Sequence, residues 1–227
     1  MDIVHHYIEQ GEGEVLILLH GNGEDCSYFV HQMGTFAAAG FHVVALDTRG
    51  HGLTPRGTAP FSIRQFADDL LGFMDQHGIG KAHLLGFSDG GNIALVFALT
   101  FPERVNKLIL NGANLDASGV KRSVQLPIEI GYRMARLFAC RRKGARRKAE
   151  LLGLMVNDPD IPAPALSGIQ SPTLVIAGTH DMIKDAHTRL IADNIPGAKL
   201  TLIEGNHFIA NRCPGAFNEA VLQFLRP

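Results

Sequence analysis

The chain has 227 residues, 46% of them hydrophobic and 19% charged, with a formal net charge of -1, a length and balance that fit one soluble globular domain with a substantial core. That composition excludes a disordered chain and argues against a dedicated nucleic-acid binder. The first ten residues lack the basic-then-apolar pattern of a targeting segment, and no apolar run is long enough to span a membrane. A cytoplasmic location is therefore the expectation. Three scattered cysteines, Cys26, Cys140 and Cys213, fit reduced thiols better than a disulfide framework or a zinc site.

In chain order, Val4 to Ile8 and Val15 to Leu19 read as strands joined by Gly11-Glu12-Gly13, the second an apolar run of the kind buried on both faces of a sheet. His20-Gly21-Asn22-Gly23 follows at once. A glycine-rich turn after a buried strand can turn backbone N–H groups outward, as an oxyanion-binding site requires. A helix is expected from Tyr28 to Ala39, stopped by Gly40, then a buried strand from Phe41 to Leu46 and the loop Asp47-Thr48-Arg49-Gly50-His51-Gly52. We expect that loop to be structural, with Arg49 and His51 holding its neighbours. Ser62 and Gln65 suit a capping box, opening a helix whose apolar positions Phe66, Leu70, Phe73 and Met74 recur at helical spacing up to Gly78.

Ala82-His83-Leu84-Leu85 then leads into Gly86-Phe87-Ser88-Asp89-Gly90-Gly91 and the apolar segment Asn92 to Leu99. The order is strand, sharp turn, helix. Glycines on either side of Ser88 permit the strained backbone that lifts a hydroxyl clear of a sheet. Val105 to Leu110 is one more short strand, and strands alternating with helices at this rhythm indicate an α/β chain with a mostly parallel, twisted sheet covered on both faces.

The rhythm breaks between residues 113 and 166. Ten of the chain's 21 lysines and arginines fall between Lys121 and Lys148. With five acidic residues the segment carries about +5, leaving about -6 on the rest. It reads as short helices, Leu126 to Ala139 and Ala145 to Met155, closed by the proline-rich Pro159 to Pro164. The expected organisation is a core of residues 1–112, a helical insertion of 113–166 and a second core portion of 167–227. The core resumes with a strand from Thr173 to Gly178, a helix from Ala186 to Asn194, a strand from Lys199 to Ile203 and a helix from Pro214 to Leu225.

Two groups stand just past late strands, Asp181 in Gly178-Thr179-His180-Asp181 and His207 in Glu204-Gly205-Asn206-His207. Parallel strands finish at one edge, so Ser88, Asp181 and His207 should converge there. A serine hydroxyl needs an imidazole to take its proton, and a carboxylate behind the imidazole fixes its tautomer. Asp185 and Asp193 compete with Asp181, but only Asp181 immediately follows a strand. His180 is the nearest rival to His207 and sits beside the acid.

With Gly86-Phe87-Ser88-Asp89-Gly90 and the order serine, aspartate, histidine, nearly the whole chain resembles the α/β-hydrolase superfamily. His20-Gly21, the Asp47 to Gly52 loop, Gly178 to Asp181 and Gly205 to His207 resemble four further loops of that superfamily in the expected order. The resemblance implies the α/β-hydrolase fold with a short helical cap, and backbone N–H groups of Asn22 and Asp89 as oxyanion donors. It implies a serine esterase of carboxylesterase type acting on a small-molecule ester or other acyl substrate through an acyl-enzyme, with no metal or organic cofactor. The alternatives are a lyase or C–C bond hydrolase using the same triad, and a ligand receptor that does not turn over.

Asp89 has two readings, a carboxylate favoured by the helix N-terminus or a group that recognises a substrate cation. The second is suggested by a resemblance of the serine turn to valacyclovirase-type hydrolases. The basic segment likewise reads as a solvated helix face, as attraction for an acidic substrate, or as contact with a membrane surface.

Overall fold

The computed structural model describes residues 2–226. Seven strands form one sheet: β1 (Tyr7–Gln10), β2 (Glu14–Leu19), β3 (Phe41–Leu46), β4 (Ala82–Phe87), β5 (Val105–Asn111), β6 (Thr173–Gly178) and β7 (Lys199–Ile203), in spatial order β1-β3-β2-β4-β5-β6-β7. Only β1 runs antiparallel to its neighbour; the other pairings are parallel. Successive residues of β2 face opposite sides. Leu16 and Leu18 pack with α1 (Val30–Ala38) and α8 (Pro214–Leu225), while Ile17 and Leu19 pack with α2 (Ile63–Gln76) and α3 (Asp89–Thr100). That alternation explains the unbroken apolar run, since both faces are covered.

The first strand forms at Tyr7–Gln10 rather than Val4 to Ile8. The backbone of 7–10 finds the open edge of β3, pairing Tyr7 with Leu46 and Gln10 with Val43. Upstream, Ile3 and His5 are buried as irregular chain and the His6 N–H donates to Thr54 Oγ1. The first helix also starts later than expected, because Cys26–Phe29 forms a tighter turn whose opening is capped by the Asp25 side chain.

The capping box closes on one side only. Ser62 Oγ accepts from the Gln65 N–H, but the Gln65 side chain turns to Asp69 Oδ1 at 3.1 Å. A capping box asks the Gln65 amide oxygen to accept from the Ser62 N–H, whereas here the amide turns so that its Nε2 donates to a carboxylate already held by Arg49. Arg49 is fully buried, with Nε and Nη2 donating to the two oxygens of Asp69 at 2.7 Å each, Nη2 also to Asp2, and Nη1 to the Arg56 carbonyl. Arg49 thus holds the neighbours of its loop as expected, but His51 does not: its Nδ1 bonds within the loop, to Thr48 Oγ1 and the Arg49 carbonyl, and its Nε2 is buried without a partner.

Between β5 and β6 lie α4 (Arg122–Phe138) and α5 (Lys143–Asn157), both longer than the sequence suggests. Pro127 falls inside α4 and costs it one intrahelical bond. The two helices pack on each other, Gln125 donating to the Met155 carbonyl and Asn157 to the Tyr132 hydroxyl. Arg56 pairs with Glu150 at 3.0 Å, tying α5 to the loop after β3. The chain then continues through α6 (Asp185–Asn194) and the short α7 (Ile209–Arg212). No helix among the described residues is long and apolar enough to cross a membrane.

Candidate active site

The carboxyl ends of the parallel strands bring the predicted residues to one edge. Ser88 directly follows β4 and precedes α3 with φ 53° and ψ -119°, the one non-glycine with positive φ among the described residues. Close approach makes this strained turn possible: a Cβ at Gly86 would strike the Gly90 carbonyl, and a Cβ at Gly90 would strike the carbonyl of Leu19 at the end of β2. The Ser88 N–H is held by the Asn111 carbonyl at 2.8 Å. A strained conformation persists because the surroundings over-determine it.

His207, four residues beyond β7, and Asp181, three beyond β6, are both buried and joined by a 2.7 Å bond from Nδ1 to Asp181 Oδ1. A carboxylate can only accept, so this bond puts the proton of neutral His207 on Nδ1 and leaves the lone pair on Nε2. That nitrogen is buried without a partner. The ring lies 4.8 Å from Phe87 between centroids and against Gly112, whose absent Cβ would fall 2.6 Å from Cε1. Gly112 has φ +64°, so lack of a side chain serves both the turn and the imidazole. The structure does not close a Ser88–His207 hydrogen bond; such contacts tighten when substrate arrives. The Asp181 Oδ1 atom also accepts from the Ile183 N–H, which fixes the carboxylate. His180 is exposed and turns instead to Thr179 and Glu204, while Asp185 pairs with Arg189.

Asn22 and Asp89 come together at the mouth of the serine turn. Neither backbone N–H donates to another protein group among the described residues, as an oxyanion site requires. Their side chains bond directly: Asn22 Nδ2 donates to Asp89 Oδ2 at 2.9 Å and to the Leu151 carbonyl of α5 at 2.8 Å. Asn92 Nδ2 reaches the other Asp89 oxygen at 3.5 Å and Asn114 Oδ1 at 3.1 Å. Asp89 is 7% exposed, and burial pushes its carboxyl up from 3.8 to about 6, against the lowering effect of the Asn22 bond. Asn22 thus engages one oxygen of the carboxylate, while the other has only the long contact from Asn92.

Sequence reasoning missed Glu24. Its Oε2 accepts from the Gly21 N–H at 3.2 Å, and burial raises its carboxyl to about 7 despite that bond and attraction to His207. Only its spacing three residues after Gly21 could have signalled it. His20 is also buried, with burial lowering its pKa. The Thr48 N–H donates to its Nε2, so Nδ1 carries the proton and donates to the Gly21 carbonyl at 2.8 Å. The glycine turn is thereby locked to the loop after β3.

Another cluster, His6, Cys26 and Asp47, has the residue types of a metal site, but its donors are already committed. The Asp47 oxygens accept from the N–H groups of Cys26 and Leu53 and from His6, and burial pushes the Cys26 thiol up to about 12.

Residues 14–132 match the family described as alpha/beta hydrolase fold. The chain is 32% identical to a 2-hydroxy-6-oxononadienedioate/2-hydroxy-6-oxononatrienedioate hydrolase of Burkholderia vietnamiensis, over 97% of this chain and 90% of that protein. It is 29% identical to a 2-hydroxy-6-oxo-6-phenylhexa-2,4-dienoate hydrolase of Comamonas testosteroni, over 99% and 92%. Among solved structures, the enol-lactonase from Burkholderia xenovorans LB400 superposes with a TM-score of 0.82 at 25% identity, covering 97% of this chain and 96% of that one. The alignment with the first relative spans 263 positions, so that protein carries segments this shorter chain lacks.

Proposed function

This chain belongs to the alpha/beta hydrolase fold family, and from that premise we propose that it is a serine hydrolase of small-molecule acyl bonds, an esterase or lactonase. The observation that carries the reading is the imidazole of His207. It is oriented by Asp181 at 2.7 Å, its ring lies against Phe87, the residue before the strained serine, and its Nε2 is left unpartnered.

In this reading Ser88 Oγ attacks the substrate carbonyl while its proton passes to His207 Nε2. The carbonyl oxygen, now an alkoxide, accepts from the backbone N–H groups of Asn22 and Asp89. As the tetrahedral intermediate collapses, the bond from carbonyl carbon to leaving oxygen breaks and His207 returns the proton to that oxygen, leaving an acyl-enzyme. Water then repeats the cycle: His207 takes its proton, hydroxide adds to the acyl carbon, and Ser88 leaves reprotonated. Asp181 stays ionised throughout and stabilises the imidazolium. The Asp89 side chain holds Asn22 in place; it is a positioning group in this reading, not a detector of substrate charge.

An acyl group without negative charge suits the site best, because two carboxyls, Asp89 and Glu24, flank the glycine turn and neither pairs with a lysine or arginine among the described residues. A second reading, hydrolysis of a C–C bond beside a ketone, is favoured by the names of the two relatives above. A fluorophosphonate should label Ser88 and leave Ser88→Ala unlabelled. Enzyme not exposed to the probe is assayed in parallel on p-nitrophenyl esters, lactones and a 2-hydroxy-6-oxo-dienoate. Turnover of esters or lactones well above the dienoate is expected; the reverse order selects C–C hydrolysis. No labelling of folded protein rejects the serine mechanism. Matched esters with and without an α-amino group should lose activity equally in Asp89→Asn, and selective loss of the amino ester would restore cation recognition.

A further inference from the structure

The helix α4 is apolar on two sides. Its packing face carries the buried Gln125 and Ala135 and the half-buried Ile128 and Tyr132. At 3.6 residues per turn, Leu126, Ile130, Met134, Leu137 and Phe138 fall on one stripe roughly opposite. All five are exposed, from 41% at Leu126 to 69% at Leu137. Such a contiguous stripe on a surface helix marks an interaction site.

Charge decides what covers it. Arg122 and Arg133 lie along one edge of the stripe, and Arg141, Arg142 and Lys143 follow at its carboxyl end, all exposed. The acids nearby are already engaged: Glu129 pairs with Arg122, and Glu150 with Arg56 and Arg146. Arg133, Arg136, Arg141, Arg142, Lys143, Arg147 and Lys148 have no acidic partner among the described residues. A second copy meeting this face across a two-fold axis would set arginine against arginine. An anionic surface meets the same groups favourably.

We propose that α4 is an interfacial docking helix, its apolar stripe entering the headgroup region of an anionic lipid bilayer while the surrounding arginines and lysines contact lipid phosphates. Long basic side chains keep their charge at the interface while their stems lie along apolar surface. Because α4 packs on α5, and the Leu151 carbonyl of α5 holds Asn22 at the serine turn, docking places the catalytic edge beside a reservoir of apolar substrates.

Co-sedimentation with vesicles tests the proposal independently of any activity. The full chain should sediment with phosphatidylcholine vesicles containing phosphatidylglycerol, weakly with phosphatidylcholine alone, and less as salt rises. Ile130→Ser with Leu137→Ser should weaken binding about tenfold. Replacing Arg141, Arg142 and Lys143 by Gln should weaken it about a hundredfold, at about 1 kcal/mol per basic residue near an anionic surface. These positions are exposed, so circular dichroism should show unchanged folding. Failure of the wild type to bind the anionic vesicles overturns the proposal, as does unchanged binding by the serine variant. A wild-type dimer in light scattering that the serine variant dissociates would assign the stripe to a second copy and also overturn it.

Discussion

Replacing Asp89 by Asn removes a charge from a place where burial opposes it, with little change of shape. The carboxyl rises from 3.8 to about 6, so the native state holds this proton more tightly than the unfolded chain does. The sign follows from linkage: between those values the native state binds more protons, and stability falls as pH rises through the window and stays lower above it. Two pH units correspond to about 3 kcal/mol. The variant carries no ionisable group there, so its stability relative to wild type should improve by about 3 kcal/mol from about pH 4 to about pH 7 and then level off. Any pH-independent offset, from altered pairing with Asn22 and Asn92 or a weaker interaction with the helix N-terminus, shifts the curve without changing its slope. Glu24 is also raised, but it titrates in both proteins and cancels in the difference. Urea denaturation of both proteins across this range measures the quantity. A flat difference, or a wild type that gains on the variant as pH rises, would show that the charge is stabilised where it sits and refute the reasoning.

Asp181→Asn keeps the shape but removes the acceptor that places the proton on His207 Nδ1, so kcat should fall about 10⁴-fold; a loss under tenfold would mean another group orients the ring. Gly112→Ala puts a methyl against the imidazole at a backbone angle that disfavours alanine. It should cost about 1–3 kcal/mol of stability, and displacement of the base should lower kcat about a hundredfold, both read from the same preparation by melting and by kinetics. Arg49→Ala leaves Asp69 buried and unpaired and should destabilise the fold by about 3–5 kcal/mol. A loss below about 1 kcal/mol in denaturant would show that the buried pair is dispensable.

What could be read from the sequence is what depends on local pattern. Apolar runs such as Val15 to Leu19 and Thr173 to Gly178 marked strands because a sheet covered on both faces needs them, and position after a strand separated Asp181 from Asp185 and Asp193. Edge pairing was not legible: β1 formed at Tyr7–Gln10, where the alternative was more apolar, because β3 offered an open edge. Nor was side-chain choice between partners. The Gln65 side chain left its expected cap to donate to Asp69, a carboxylate held in place by Arg49 from the loop after β3, which the neighbourhood of Gln65 in the chain does not show. Which apolar side of α4 faces α5 and which faces outward is likewise a property of the packed pair.

The same limit applies at the serine turn, and there it bears on mechanism. At the level of sequence, the resemblance implies backbone donors at Asn22 and Asp89, and the Asp89 side chain has two readings, but nothing links the side chains of the two residues. In the structure their side chains belong to a chain of bonds running from the Leu151 carbonyl through Asn22, Asp89, Asn92 and Asn114 to the Asp116 carbonyl. One end lies on α5 and the other in the loop after β5, so helices inserted between β5 and β6 reach the glycine turn at the nucleophile. An oxyanion site works by being organised before charge develops, and in the proposed mechanism part of that organisation would come from a backbone carbonyl outside the strand-end loops. Replacing side chains of α5 cannot remove that acceptor but can move it. Substitutions in this helix should therefore act on kcat through the position of Asn22, even where they touch no substrate.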